Sequence, residues 1–331
     1  MGRGRRRGPK PLRFRALLDC LAEYVQQISD RRQEGKVVYP LQDCYRSAFA
    51  MFYLQDAALL EFQRRFQHTI QKNNLSTVFG VETIPAETQF RDVIDVHPYE
   101  PLGGVFVECF RRLQRSKLLD RFQFREGAYL LSMDGSEYFG SECVHCPACL
   151  ITKRKDGSVR YHHEILQATV VNPDCKQVLP LAPEFIRNTD GNSKQDCEIR
   201  AATRLVGKIR SDHPQLDVIV LADGLYSKAP FIGHLRRHRF SFILVAKPKD
   251  HTSLFQDVEG LRRGGLLDRL EIRDEKGRLH LYEWVNGIAL NGSAKSPTVN
   301  FIEYRIFAPE GSRNYHNSWV TDVEITPELG T

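Results

Sequence analysis

The stretch that most constrains the fold is LDVIVLAD, residues 216–223. Its apolar side chains follow one another almost without interruption, whereas a strand with one wet face would alternate them with polar ones. Such a run reads as a strand covered on both faces. Helical patterns flank it, at about 193–211 and about 227–238, and a further apolar strand follows at 240–247. Upstream, strands are expected at 129–134, 160–172 and 175–181. Three strands, then helix, strand, helix, strand, is an α/β layout.

Two of these strands end alike. YLLSMD runs into Asp134 and Gly135, and LDVIVLAD runs into Asp223 and Gly224. An Asp-Gly pair after a strand is a common turn signal, and for either aspartate alone that reading competes with a functional one. Carboxylates at adjacent strand ends can also hold a divalent cation. Mg²⁺ takes one or two carboxylates together with phosphate oxygens, and paired ions of this kind drive phosphoryl transfer.

The ordered motifs around these residues resemble the acidic-triad (DDE) transposases of bacterial insertion sequences whose catalytic core carries a β-rich insertion. The resemblance rests on LLSMDGSEYF at 130–139, KQDCEIRAATR at 194–204, VIVLADGLYSKAPFI at 218–232, FSFILVAKPKDH at 240–251 and SWVTDVEI at 318–325. DRRQEGKVVYPLQDCYRSAFAMF and NNLSTVFGVETIPAETQFRDVID fit the N-terminal region of the same group. The resemblance implies a ribonuclease-H-like (retroviral-integrase-like) α/β core with a β-strand insertion, preceded by a small α-helical domain. In such a core the first and fourth strands lie side by side. It also implies Mg²⁺ (or Mn²⁺) held by Asp134 and Asp223 as catalytic residues. The expected reaction is cleavage and joining of DNA at transposon ends without a covalent enzyme intermediate. The partners are transposon-end DNA and a second copy of the chain, as a homodimer in a synaptic complex, in the bacterial cytoplasm and nucleoid.

The expected organisation is a basic arm at 1–15, a helical DNA-binding domain at 16–125, the core at 126–250, a β-rich insertion at 251–325 and the start of a helix at 326–331. Strands at 268–273, 279–288, 298–308 and 317–325 make up the insertion. The resembled group places its third acid, a glutamate, on a helix after the insertion. Here TPELGT, with Thr326 as N-cap and Pro327 in the first turn, closes the sequence. The expectation is therefore a transposase fragment whose third acid is missing and which transfers strands poorly alone. Glu303 and Glu324 fall in strand-like segments and are poor substitutes. Two other functions stay open: an inactive remnant that occupies transposon ends, and a metal-dependent nuclease unrelated to transposition.

ECVHCPACL and RYHHE form a second constellation. Cys143, Cys146 and Cys149 repeat at C-x₂-C spacing, and 12 residues separate Cys149 from His162, which is compatible with a structural Zn²⁺ site. His162 and His163 are adjacent on an expected strand, so they point to opposite faces and only one can join. The expected set is Cys143, Cys146, Cys149 and His162; buried or incidental thiols are the alternative.

The net charge is +6, unevenly spread: Arg3, Arg5, Arg6, Arg7, Lys10, Arg13 and Arg15 all precede the first acid, Asp19. Such an arm attracts polyanions, so Arg5, Arg6 and Arg7 are candidate DNA contacts. Lys247 and Lys249, after the last core strand, are two more. Helical spacing recurs at Leu17, Leu18, Leu21, Val25 and Ile28, and again from Ala48 to Phe66, where the aromatic residues are expected in the core. No run of about 18 apolar residues and no secretory signal pattern is present. The eight cysteines are therefore expected as thiols or metal ligands in a reducing compartment.

Overall fold

The computed structural model describes residues 13–33, 35–66, 74–125, 127–188 and 196–329. The chain divides into two compact units, with the boundary between Asp120 and Arg121.

The first unit is helical: α1 (Phe14–Val25), α2 (Leu41–Tyr53), α3 (Leu59–Phe66), α4 (Glu87–Asp95) and α5 (Gly103–Arg115), with one π-turn at Leu75–Phe79. Pro40 stands immediately before α2, where its missing N–H costs nothing. Leu18, Ala50, Phe62, Phe66, Leu75, Phe79 and Val81 form one core cluster, and Val25, Ile28 and Tyr45 a smaller one. The buried Asp43 carboxylate accepts the N–H groups of Glu82 and Thr83 and so ties the loop after the π-turn to α2. The expected aromatic core is only partly realised. Phe62 and Phe66 are inside, but Phe52 is 76% exposed, and Tyr53, 58% exposed, sits at the rim of the core with its ring against Phe14 and Phe79.

The second unit is a mixed α/β structure built on one large mixed sheet. Its elements are β1 (Gln123–Arg125), β2 (Ala128–Ser141), β3 (Leu150–Lys153), β4 (Val159–Asn172), β5 (Cys175–Pro180), β6 (Glu184–Ile186), α6 (Glu198–Asp212), β7 (Val218–Ala222), α7 (Ala229–Arg237), β8 (Ser241–Val245), α8 (Thr252–Arg263), β9 (Asp268–Arg273), β10 (Leu279–Ala289), β11 (Thr298–Phe307) and β12 (Arg313–Thr321). The hydrogen-bonded path runs β3-β4-β2-β7-β8-β12-β11-β10-β9, with β1 on β2 and both β5 and β6 on β4. β2, β7 and β8 are parallel to one another; β4 is antiparallel to β2.

The β-rich segment is continuous with this sheet. β9 to β12 form an antiparallel meander, and β12 pairs with β8 through Trp319↔Val245 and Thr321↔Ile243. A helix, α8, precedes the meander. Its Leu254 and Val258 are buried one turn apart, an apolar spacing that reads as helix. The final TPELGT segment makes a short 3₁₀ turn at Pro327–Leu329.

One face of the central strands is fully buried: Leu131, Met133, Val218, Val220, Phe242 and Leu244 are each at most 2% exposed. α6 contacts β4 and β6, and α7 contacts β8. The other face carries Leu130, Ile219, Leu221 and Ile243, packed with Val171 and Val323. Among the described residues no helix is long and apolar enough to cross a membrane.

Candidate active site and candidate metal centre

Asp134 is not at a strand end. β2 continues through it to Ser141, and Asp134 and Gly135 pair with Gln167 and Leu166 of β4. The turn reading therefore fails for Asp134. What ends here is the other neighbour: the parallel pairing with β7 stops at Ser132↔Leu221. Throughout that ladder each residue faces the one 89 positions later, and Asp134 and Asp223 are separated by the same interval. Continued two residues, the register brings the aspartates level, where residues of parallel strands point to the same side. The sheet opens at this point, and open α/β sheets bind ligands outside the carboxyl ends of their strands.

Both aspartates are exposed, and neither has an ion-pair partner among the described residues. Asp223 Oδ1 accepts the Leu225 N–H at 2.8 Å, and its carbonyl accepts the Tyr226 N–H. This Asx turn orients the carboxylate and leaves its second oxygen for another ligand. The donor set is two carboxylates without a cation, which suits a hard, oxygen-seeking ion.

A residue that sequence reasoning passed over reaches the same corner. Glu198, at the start of α6, lies against Gly135 and accepts the Tyr226 hydroxyl. Alternation puts the vacant Cβ direction of Gly135 on the face opposite Asp134, so Glu198 approaches from the helical side. The buried Tyr226 phenol is pushed far above its ordinary value, first by burial and then by Glu198, with the charges of Asp223 and Asp134 adding to it. Glu198 is set by the preceding turn. Asp196 pairs with Arg204 at 2.7 Å and accepts the Cys197 N–H, while Arg204 also binds Glu184. Burial pushes the Asp196 carboxyl up, but the Arg204 guanidinium and the Cys197 N–H outweigh it and leave it below the ordinary value. Arg204 is thus occupied within the protein.

Lys247 lies beside this corner. Its Cδ and Cε are 3.4 Å from where a Cβ on Gly224 would stand, so the stem runs past the turn that carries Asp223. Lys249 is exposed. His251 is buried, not a surface residue, and its Nε2 is 2.7 Å from Ser227 Oγ, which in turn donates to the Gly224 carbonyl. That chain ties the Asp223 turn to the start of α8. Glu303 cannot serve the site: it faces Glu283 across β10 and β11 and is held by Arg262, Arg305 and His316. Arg5, Arg6, Arg7 and Lys194 lie outside the described residues.

The cysteine cluster differs in membership from the expected set. Cys146, Cys149 and His163 converge, whereas Cys143 is exposed outside the group. His162 is buried on the other side of β4, with Nε2 3.2 Å from Glu164. Register decides between the histidines: His163 pairs with Phe139 and His162 with Gly140, across a bulge at Tyr138. The Tyr138 ring stacks on His163 at a centroid distance of 5.8 Å. No protein-family model matches the chain, and no curated protein matches it.

Proposed function

We propose that this chain is a transposase of the acidic-triad type, with a ribonuclease-H-like core, that cleaves and joins DNA at transposon ends. The observation that carries the reading is the parallel register of β2 and β7, which, continued two residues past Ser132↔Leu221, brings Asp134 level with Asp223 just beyond the end of β7. The order in which the strands of the second unit join also supports it. With β2, β4, β5, β7 and β8 counted as first to fifth, the third, second, first, fourth and fifth follow one another across the sheet, and only the second runs antiparallel to the first.

Asp134 and Asp223 would hold Mg²⁺ or Mn²⁺ through their carboxylate oxygens. When bound, the ion activates the attacking oxygen and stabilises the leaving one. The remaining roles belong to the protein. The Leu225 N–H orients Asp223. Lys247 and Lys249 offer positive charge to the backbone phosphates, which position DNA without reading its sequence. Glu198, clamped by Tyr226 and Gly135, supports the strand ends from the helical side.

The test is uptake of Mn²⁺, followed by the loss of its free-ion electron paramagnetic resonance signal, with plasmid nicking in parallel. Wild-type protein is expected to take up Mn²⁺, and Asp134→Asn and Asp223→Asn to lose that uptake and any nicking while keeping salt-sensitive DNA binding. Equal uptake by both variants would overturn the assignment. DNA binding and metal uptake that are both untouched by the substitutions would favour a protein that only occupies DNA.

A further inference from the structure

We infer that Cys146, Cys149 and His163 form a Zn²⁺ site with three protein ligands and a fourth position open to solvent. The inference does not rest on the transposase reading, since none of the three residues takes part in it.

The three ligand atoms already stand at separations close to the edges of a zinc tetrahedron. Cys149 Sγ is 3.8 Å from Cys146 Sγ, and His163 Nε2 is 3.3 Å from Cys146 Sγ and 3.4 Å from Cys149 Sγ. Tetrahedral Zn²⁺ with Zn–S of about 2.3 Å and Zn–N of about 2.0–2.1 Å requires S···S of about 3.8 Å and S···N of about 3.5–3.6 Å. The sulfur edge matches and the nitrogen edges fall within about 0.3 Å of it. A disulfide is excluded, because its sulfurs would stand about 2.05 Å apart.

The backbone fixes the two sulfurs. Cys146 N–H points at Cys149 Sγ at 3.3 Å, and Cys149 N–H closes the turn onto the Cys146 carbonyl at 3.1 Å. This turn holds the two sulfurs on one side of the loop, toward His163. Tyr138 stacks on the imidazole and holds its plane. Two thiolates and an imidazole favour Zn²⁺ over the oxygen-seeking Mg²⁺ of the aspartate pair, so the two centres would load different ions.

Among the described residues, no further ligand joins the three. Cys143 is exposed, and its carbonyl accepts from His145 Nδ1. His145 is itself stacked on Tyr161 at 4.3 Å. Neither side chain is in the group. Cys146 is on the outer, exposed side, which leaves that vertex to water. The ion would pin the loop between β2 and β3 onto β4, at the edge of the sheet where β3 ends the strand path.

The experiment uses metal-free full-length protein. Zn²⁺ is added at one equivalent, and cysteine alkylation is followed residue by residue by mass spectrometry. Cys146 and Cys149 are expected to become at least about tenfold slower to alkylate while Cys143 keeps its rate. Unchanged rates at Cys146 and Cys149 would overturn the site, and protection of Cys143 as well would overturn its open position. Co²⁺ substitution supplies a second reading. Wild type and the variants Cys143→Ser and His162→Ala should show the same sulfur-to-cobalt absorption, and His163→Ala should weaken Co²⁺ binding more than about a hundredfold, beyond the loss expected for a residue that only supports a ligand. Loss in His162→Ala with retention in His163→Ala would reject the ligand set.

Discussion

The Glu198 carboxylate closes over Gly135, with its Cδ and Oε2 each 3.0 Å from the point where a Cβ on residue 135 would stand. A methyl group there would force the carboxylate away by a few tenths of an ångström and strain its bond from Tyr226. Gly135→Ala is expected to cost about 1–3 kcal/mol, as overpacking does. Shortening the opposing side chain should restore part of it. In urea unfolding, Gly135→Ala with Glu198→Ala should be more stable than the sum of the single effects predicts, by about 0.5–3 kcal/mol. Additive losses would mean that the two residues do not touch.

Much of this corner was legible in the sequence, and the reason differs by residue. The unbroken apolar run of β7 could only be a buried strand, and the interval between Asp134 and Asp223 became meaningful once β2 and β7 were neighbours. The extent of β2 was hidden: beyond Asp134 it reads Gly-Ser-Glu-Tyr, which lacks the apolar alternation that marks a half-buried strand. That strand is held by pairing with β4 and not by a covered face of its own. Glu198 gave no signal because only tertiary packing brings the start of α6 to Gly135. The two histidines show the same limit at single-residue scale. Alternation dictated that one of them joins the cysteines, but the choice of His163 depended on a bulge at Tyr138 that no local pattern announces. Helix α8 was missed: Leu254 and Val258 carry its spacing, but the strand-rich sequence that follows drew the whole of 251–325 into a β-rich expectation.

Two carboxylates held level without a cation repel each other, and a divalent ion relieves that repulsion. Without metal, Asp134→Asn or Asp223→Asn should raise stability slightly, by about 0.2–1 kcal/mol at low salt. Millimolar Mg²⁺ should then raise the melting temperature of wild type and leave both variants unchanged, since a ligand stabilises only the fold that binds it. Thermal melts with and without Mg²⁺ decide this. An equal Mg²⁺ shift in all three proteins would show that the ion binds elsewhere.

Glu283 and Glu303 face each other across β10 and β11, and their side chains are only 8% exposed. Arg262 spans both from α8 and Arg305 joins from β11, with Arg262 Nε 2.9 Å from Glu283. Removing Arg262 leaves two buried like charges to share Arg305, with His316 on Glu303 alone. Arg262→Met should destabilise the protein by about 2–4 kcal/mol, the lower part of the range for a broken buried pair because the guanidinium is partly solvated. Adding Glu283→Gln to Arg262→Met should recover part of the stability, because Arg305 then has a single buried carboxylate to balance. Chemical denaturation of the single and double variants measures both effects.

His251 carries a pH dependence whose sign can be worked out. Burial first, and then the nearby Lys228 charge, lower its pKa below the ordinary value of 6.5, against a smaller opposing pull from Asp250. The unfolded chain therefore binds a proton at a higher pH than the folded one. The stability this residue contributes is fully present above about pH 6.5 and is lost as pH falls through the lower folded value. Protonation would also disturb the link from His251 through Ser227 to the Gly224 carbonyl, beside Asp223. His251→Gln removes the titration at the expense of about 1–2 kcal/mol for an altered buried hydrogen bond. Urea midpoints at about pH 7.5 and about pH 5 should differ more for wild type than for the variant. If the two proteins lose stability in parallel, His251 is not the group that titrates, and the Asp223 turn does not depend on its neutral form.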